Sequence, residues 1–383
     1  MKKGTILIIF LIIISSCKSH LNKSQIAVQI PVETPKLEIP QTAKSGLDSL
    51  VAKVATTNGC RMTATIKGPN TTAYYSGFDG RTNEKITDFN DLYEIGSCTK
   101  MFTAASIFQL IEQKKLKLDD YLTAVLPNET FYDDLLIVDS KNYIDSVKVI
   151  NLLNHTSGFP EYFLEDEEKV VELHSDPSEL FTAEKLINMA KANPDQNVFI
   201  PGSKFSYCNV NYILLGLIIE KLSKQTYPEY IQEHIIAPLA LKNTYLGSIF
   251  PNAKRPKGHY KDKITLMPLT MAGAAGEIIS NLDDMQTFIT AWNKGKLFKD
   301  LNTINSIKND YFNDMVPGAV TYGAGVVNLM NLSLGHGGQT LGYQSYVGTM
   351  SSNNYTFVFS IDDATVSAWY PAIETSTLLN SIK

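Results

Sequence analysis

The chain holds 383 residues, 44% of them hydrophobic, enough for roughly two packed units at about 150 residues per domain. Its 34 basic and 39 acidic side chains leave a net charge of -5, and with no local run of Lys or Arg that balance speaks against nucleic acid, whose phosphates demand a basic surplus. Four cysteines over this length exclude a disulfide-stapled miniprotein, and with no paired Cys/His spacing they suggest no zinc site; neither metal nor other cofactor is expected.

Lys2 and Lys3 precede an apolar run from Ile6 to Ile14, about nine residues where a bilayer span needs about 20. It reads as the h-region of a signal peptide covering 1–16. Ile14-Ser15-Ser16-Cys17 resembles a bacterial lipobox, so Cys17 is the expected lipidation site and new N-terminus; a cleaved signal followed by an incidental cysteine is the alternative. Residues 17–44 are polar, carry Pro31, Pro35 and Pro40 and show no hydrophobic period, as an extended tether would. These features imply a membrane-anchored lipoprotein of the cell envelope, on the periplasmic side, and Lys18 after Cys17 is compatible with outer-membrane sorting.

A folded domain is expected over 45–383. Gly46 to Ala55 has helical spacing through Leu47, Leu50, Val51 and Val54. Cys60 to Ile66 and Thr71 to Tyr75 read as a β-hairpin around Gly68-Pro69-Asn70. Beyond Ile95 the period becomes helical, with Met101, Ala104, Ala105, Phe108 and Ile111 on one stripe, and helical patterns dominate through about Leu239. Strands return at Tyr343 to Met350 and Tyr355 to Ile361, before a last helical stretch from Tyr370. The fold class that follows is α/β of the α+β kind: a mixed lobe with an antiparallel sheet flanked by helices, built from about 45–95 and 265–383, with an all-helical lobe inserted over about 96–264.

Gly96-Ser97-Cys98-Thr99-Lys100 opens the first long helix. Ser97 and Lys100 then share a face one turn apart, where a lysine of depressed pKa could activate a serine for acyl transfer and the helix N-terminus would stabilise an oxyanion. Ser-x-x-Lys alone is weak, because Ser15 to Lys18 matches it too. The string from Tyr93 to Ala105, with Leu110 to Tyr121 after it, resembles the serine β-lactamase and penicillin-binding-protein superfamily. Its class C-like branch comprises class C β-lactamases, D-alanyl-D-alanine carboxypeptidases, D-amino-acid amidases and aminopeptidases, and family VIII esterases. Asn151 to Gly158, ending His-Thr-Ser-Gly, the Tyr207-Cys208-Asn209 element, a glycine-rich turn at Gly273 to Asp284 and Gly335-His336-Gly337-Gly338-Gln339 match that branch in order. The similarity runs from about Ser45 to the C-terminus.

The resemblance implies a β-lactamase/transpeptidase-like fold and a catalytic set of Ser97, Lys100, Tyr207 and Asn209. Ser97 is the expected nucleophile, and the base is left open between Lys100 and Tyr207. Asn209 is expected to bond the lysine and the substrate's acyl amide. His336, Gly337, Gly338 and Gln339 are the expected substrate-binding strand, with the N–H groups of Ser97 and Gln339 as the oxyanion hole. His336 stands where many β-lactamases carry lysine, which moves the reading away from a dedicated β-lactamase. His155 is expected to brace the cleft rather than transfer protons. Cys98 and Cys208 read as small buried residues, with a disulfide conceivable only if the two motifs converge. Loops at Asn128 to Asp145 and Glu161 to Asp176 are expected to wall the pocket. Expected substrates are a small molecule or a peptidoglycan-type peptide, cleaved as a D-amino-acid peptide, small ester or β-lactam; a non-hydrolytic penicillin-binding sensor or scaffold is the alternative.

Overall fold

The computed structural model describes residues 38–163, 176, 179–193, 198–251, 253–261, 263–265 and 268–382. Cys17, the signal segment and the tether as far as 37 lie outside the described residues, as do 164–175 of the expected pocket loop. The chain from Leu37 onward forms one compact unit.

Helix α1 (Gln41–Asn58) begins just after Pro40 and ends at Gly59, so the last residues assigned to the tether belong to the fold. The reason lies in the stripe it buries, Ala43, Leu47, Leu50, Val51 and Val54, which Ile39 extends upstream. The expected hairpin follows as β1 (Arg61–Lys67) and β2 (Tyr74–Asp79), paired Met62 to Phe78 and Ile66 to Tyr74. Its second strand runs later than the sequence suggests, because Asp48 on α1 accepts from both the Tyr74 and Ser76 hydroxyls. A short β3 (Glu84–Lys85) closes that edge.

Helix α2 (Thr99–Glu112) is buried on nearly every face from Thr99 to Leu110 rather than along one stripe. A helix buried all round sits inside a core, and here Phe102 stacks on Phe288 of a later helix at 3.7 Å. Further on come α3 (Ala183–Ala192), α4 (Val210–Ser223) and α5 (Leu282–Asn293). Helices predominate between Gly96 and Tyr260, but two-stranded ribbons interrupt them at 137–142 and 258–265. The first turns through Asp139 and Ser140, both at positive φ, the geometry of a tight type I′ hairpin turn.

The C-terminal third supplies β4 (Asn313–Val316), β5 (Val320–Tyr322), β6 (Val327–Leu329), β7 (Ser333–Gln339), β8 (Gln344–Met350), β9 (Thr356–Ile361) and α6 (Trp369–Asn380). The nine strands form one antiparallel sheet in the order β4-β5-β6-β7-β8-β9-β1-β2-β3. The first and last strands of the chain therefore lie together, Met62 opposite Ile361. One sheet face buries Met62, Ala64, Tyr346, Phe357 and Phe359 with α1 and α6; the other joins a larger core that holds α2, α4 and α5. A second sheet of three short strands, Tyr93–Glu94, Ile278–Ser280 and Tyr245–Leu246, lies beside the start of α2.

Candidate active site

Ser97 lies in the 3-10 turn Gly96–Cys98 that leads straight into α2, and its partners converge from three other elements. Lys100 is fully buried, with its Nζ 3.0 Å from Ser97 Oγ, 2.7 Å from Asn209 Oδ1 and 2.8 Å from the Ala275 carbonyl. Burial drives its pKa down to about 7, against a smaller upward pull from Glu161. A neutral amine has two hydrogens and one lone pair. Two carbonyl-type acceptors use the hydrogens, and the lone pair is left for the hydrogen of Ser97.

Tyr207 also hydrogen-bonds Ser97, and burial holds its phenol well above its ordinary pKa. Ser97, Tyr207 and Asn209 are partly exposed while Lys100 lies beneath them, so solvent and substrate reach the hydroxyls but not the amine. Asn209 is the N-cap residue of α4, yet its side chain makes no cap; it turns back to Lys100 instead.

The His-Thr-Ser-Gly segment holds the extended stretch that carries Tyr207 in place. His155 Nδ1 accepts from the Cys208 N–H at 3.1 Å and faces Asn211 Nδ2 at 3.0 Å, and the Ser206 N–H donates to the His155 carbonyl. With Nδ1 accepting, Nε2 carries the proton; it has no hydrogen-bond partner among the described residues, and the ring packs edge-to-face with Tyr322 at 4.6 Å between centroids. Burial lowers the His155 pKa well below the usual value. Its place is a brace.

His336 is also buried. Its Nδ1 lies 2.6 Å from the Gly337 carbonyl, to which it donates, and its Nε2 is 3.0 Å from the Tyr322 hydroxyl. Burial and then the neighbouring Lys100 bring its pKa down to about 3, so the ring is neutral through the physiological range. Gly337 is partly exposed, Gly338 buried and Gln339 exposed. β7 passes so close to the serine turn that a Cβ on Gly338 would lie 1.9 Å from the Ile95 carbonyl, and one on Gly96 would lie 2.6 Å from the Gln339 nitrogen. Gly96 is also at φ +50°, where side chains are strained. Cys98 and Cys208 are buried free thiols, bonded to the carbonyls of His336 and Pro160 respectively.

Sequence reasoning missed three contributors: Glu161, the Ala275 carbonyl and Tyr322. Glu161 lies three residues after the His-Thr-Ser-Gly segment, and Ala275 falls in the glycine-rich turn, so position carried a faint signal for both; Tyr322 had none.

Residues 47–366 match the family described as Beta-lactamase. The chain belongs to that family. Its members are serine hydrolases. Protein flp of Staphylococcus aureus is 31% identical over 153 residues, covering 40% of this chain and 27% of flp. A Salmonella enteritidis protein assigned as a D-alanyl-D-alanine carboxypeptidase is 24% identical over 298 residues, 69% of this chain and 66% of that protein. The chain thus spans between about a quarter and two thirds of the length of these relatives. Among solved structures, a D-stereospecific amidohydrolase from Streptomyces sp. superposes with a TM-score of 0.72 at 24% identity, covering 88% of this chain and 98% of the other.

Proposed function

We propose that this chain is a serine hydrolase that opens amide or ester bonds through an acyl-enzyme on Ser97. The observation that carries the reading is the buried Lys100 amine, held within hydrogen-bonding distance of Ser97 with its other contacts satisfied by acceptors. Lys100, at about 7, is a base at neutral pH, whereas the Tyr207 phenol keeps its proton; Lys100 therefore takes the Ser97 proton. Ser97 Oγ adds to the carbonyl, and the oxyanion is received by the N–H groups of Ser97 and Gln339. Collapse breaks the bond to the amine or alcohol, which leaves with a proton relayed from Lys100 through Tyr207. Water then attacks the acyl group along the same proton route in reverse.

A D-amino-acid peptide or amide, or a small ester, is the favoured substrate class. A neutral His336 offers no fixed cation for a substrate carboxylate, which argues against dedicated β-lactam hydrolysis, and the relative assigned as a carboxypeptidase supports a peptide with D-residues. Cys17 is proposed as the lipid anchor that holds the enzyme at the cell envelope, on the periplasmic side.

The test is acylation by a fluorescent penicillin and turnover of a small ester panel, on wild type and Ser97→Ala, followed by intact-protein mass. Turnover with a transient adduct that disappears in Ser97→Ala is expected. A stable wild-type adduct without turnover would turn the reading to a penicillin-binding sensor, and full activity in Ser97→Ala would end it.

A further inference from the structure

One half-buried carboxylate beside the site, Glu161, has no part in the chemistry described so far. Glu161 Oε2 accepts from the Asn209 backbone N–H at 2.6 Å and from Asn209 Nδ2 at 3.0 Å. Its Oε1 accepts from the N–H groups of Tyr162 and Phe163 at 2.7 and 3.1 Å. All four partners are donors. Burial raises the Glu161 pKa, and the N–H groups of Asn209, Phe163 and Tyr162, then Lys100, oppose that rise; the acceptor-only carboxylate is the form that satisfies these donors.

We propose that Glu161 is the positioning residue of this site: it locks the Asn209 amide with Oδ1 toward Lys100 and supplies the counter-charge under which the amine works. The inference rests on the reading of Lys100 as base. The chemistry fixes the amide's orientation. Turned over, Asn209 would set its NH2 against the lysine's hydrogens and its oxygen against the carboxylate, two repulsions in place of two hydrogen bonds. Held as it is, Nδ2 spends one hydrogen on Glu161 and keeps the other for a substrate carbonyl.

The counter-charge follows from what else faces Lys100. Cys98 comes from its own turn, Tyr207 and Cys208 from the segment before α4, Tyr212 from α4, His155 from the brace and His336 from β7. Burial pushes the thiols and phenols up and the imidazoles down, so all of them are neutral near pH 7. Among the described residues Glu161 is the one carboxylate acting on the lysine.

The experiment measures kcat/KM for p-nitrophenyl acetate from about pH 5 to about pH 9 in the full chain, for wild type, Glu161→Gln and Glu161→Asp, with Ser97→Ala as control. Loss of the negative charge lets burial depress the lysine further, so in Glu161→Gln the midpoint of the acid limb moves down by about one unit and the plateau falls about tenfold or more. Glu161→Asp keeps the charge and restores the wild-type midpoint with a lower plateau. A reduced rate with an unmoved midpoint in Glu161→Gln means that Glu161 is merely structural and overturns the proposal; should that variant fail to fold, a displaced midpoint in Glu161→Asp overturns it equally. Turnover that survives in Ser97→Ala removes the underlying reading and this proposal with it, whereas an inactive Ser97→Ala beside an unmoved Glu161→Gln midpoint removes this proposal alone.

Discussion

A lysine amine can take a proton only when it does not already hold one, and Lys100 meets that condition by being buried, with its pKa near 7 instead of 10.5. Below that value the amine is an ammonium and cannot deprotonate Ser97. Activity should therefore rise with pH, with kcat/KM falling about tenfold per unit on the acid side of pH 7. His336 adds no limb of its own, since it is already neutral there. Lys100→Arg places a permanent cation at the same spot. It should lower kcat/KM by about a thousandfold or more, measured beside a circular dichroism spectrum that stays close to wild type. An arginine variant that keeps the wild-type rate and acid limb would mean that the proton goes elsewhere.

At the level of elements, the site depends on how closely β7 passes the turn that carries Ser97. At Gly338 a Cβ would meet the Ile95 carbonyl at 1.9 Å and Ser345 Oγ at 2.5 Å, whereas at Gly337 the nearest atom is Tyr346 Cδ2 at 3.6 Å. Gly338→Ala should thus push the strand away from the serine, at a cost of about 1–3 kcal/mol and with most of the ester activity lost, while Gly337→Ala stays within about 0.5 kcal/mol of wild type in urea unfolding. Equal stabilities for the two variants would refute the close approach. The adjacent residues Gly337 and Gly338 look alike in sequence, and only the pairing of β7 with β8 and the turn tells them apart. The same logic separates what was legible from what was not. Ser97 and Lys100 are three residues apart, so helical spacing brought them together without knowledge of the fold, and β8 and β9 are long enough to show their apolar runs. β5 and β6 have three residues each, too few for any period. Glu161 meets Asn209 across 48 residues, a contact made by tertiary packing alone.

On the scale of the whole molecule, the three-stranded sheet joins distant stretches of chain behind the site. Its strand Tyr93–Glu94 runs into the turn of Ser97, and its neighbour Ile278–Ser280 follows Ala275, the carbonyl acceptor of Lys100. Arg255 secures this layer from a third segment, with Nε and Nη2 at 2.9 and 2.8 Å from Glu94 Oε1 and side-chain exposures of 5% and 1%. Burial raises the Glu94 pKa, and Arg255 is the largest influence opposing it. Arg255→Met leaves that carboxylate buried without its cation, which should cost about 3–5 kcal/mol at neutral pH. Loss of the cation raises the native pKa of Glu94 further. As pH falls through that raised value the carboxyl protonates in the native state before it would in the unfolded chain, so the deficit shrinks on going from about pH 7 to about pH 5. Replacing both partners, with Glu94→Leu added to Arg255→Met, removes the uncompensated charge and should recover most of the loss at either pH. Urea unfolding of the three proteins at the two pH values reads this directly: a single-variant deficit that does not change with pH, or a double variant no better than the single, would mean that the arginine acts through packing and not through its charge.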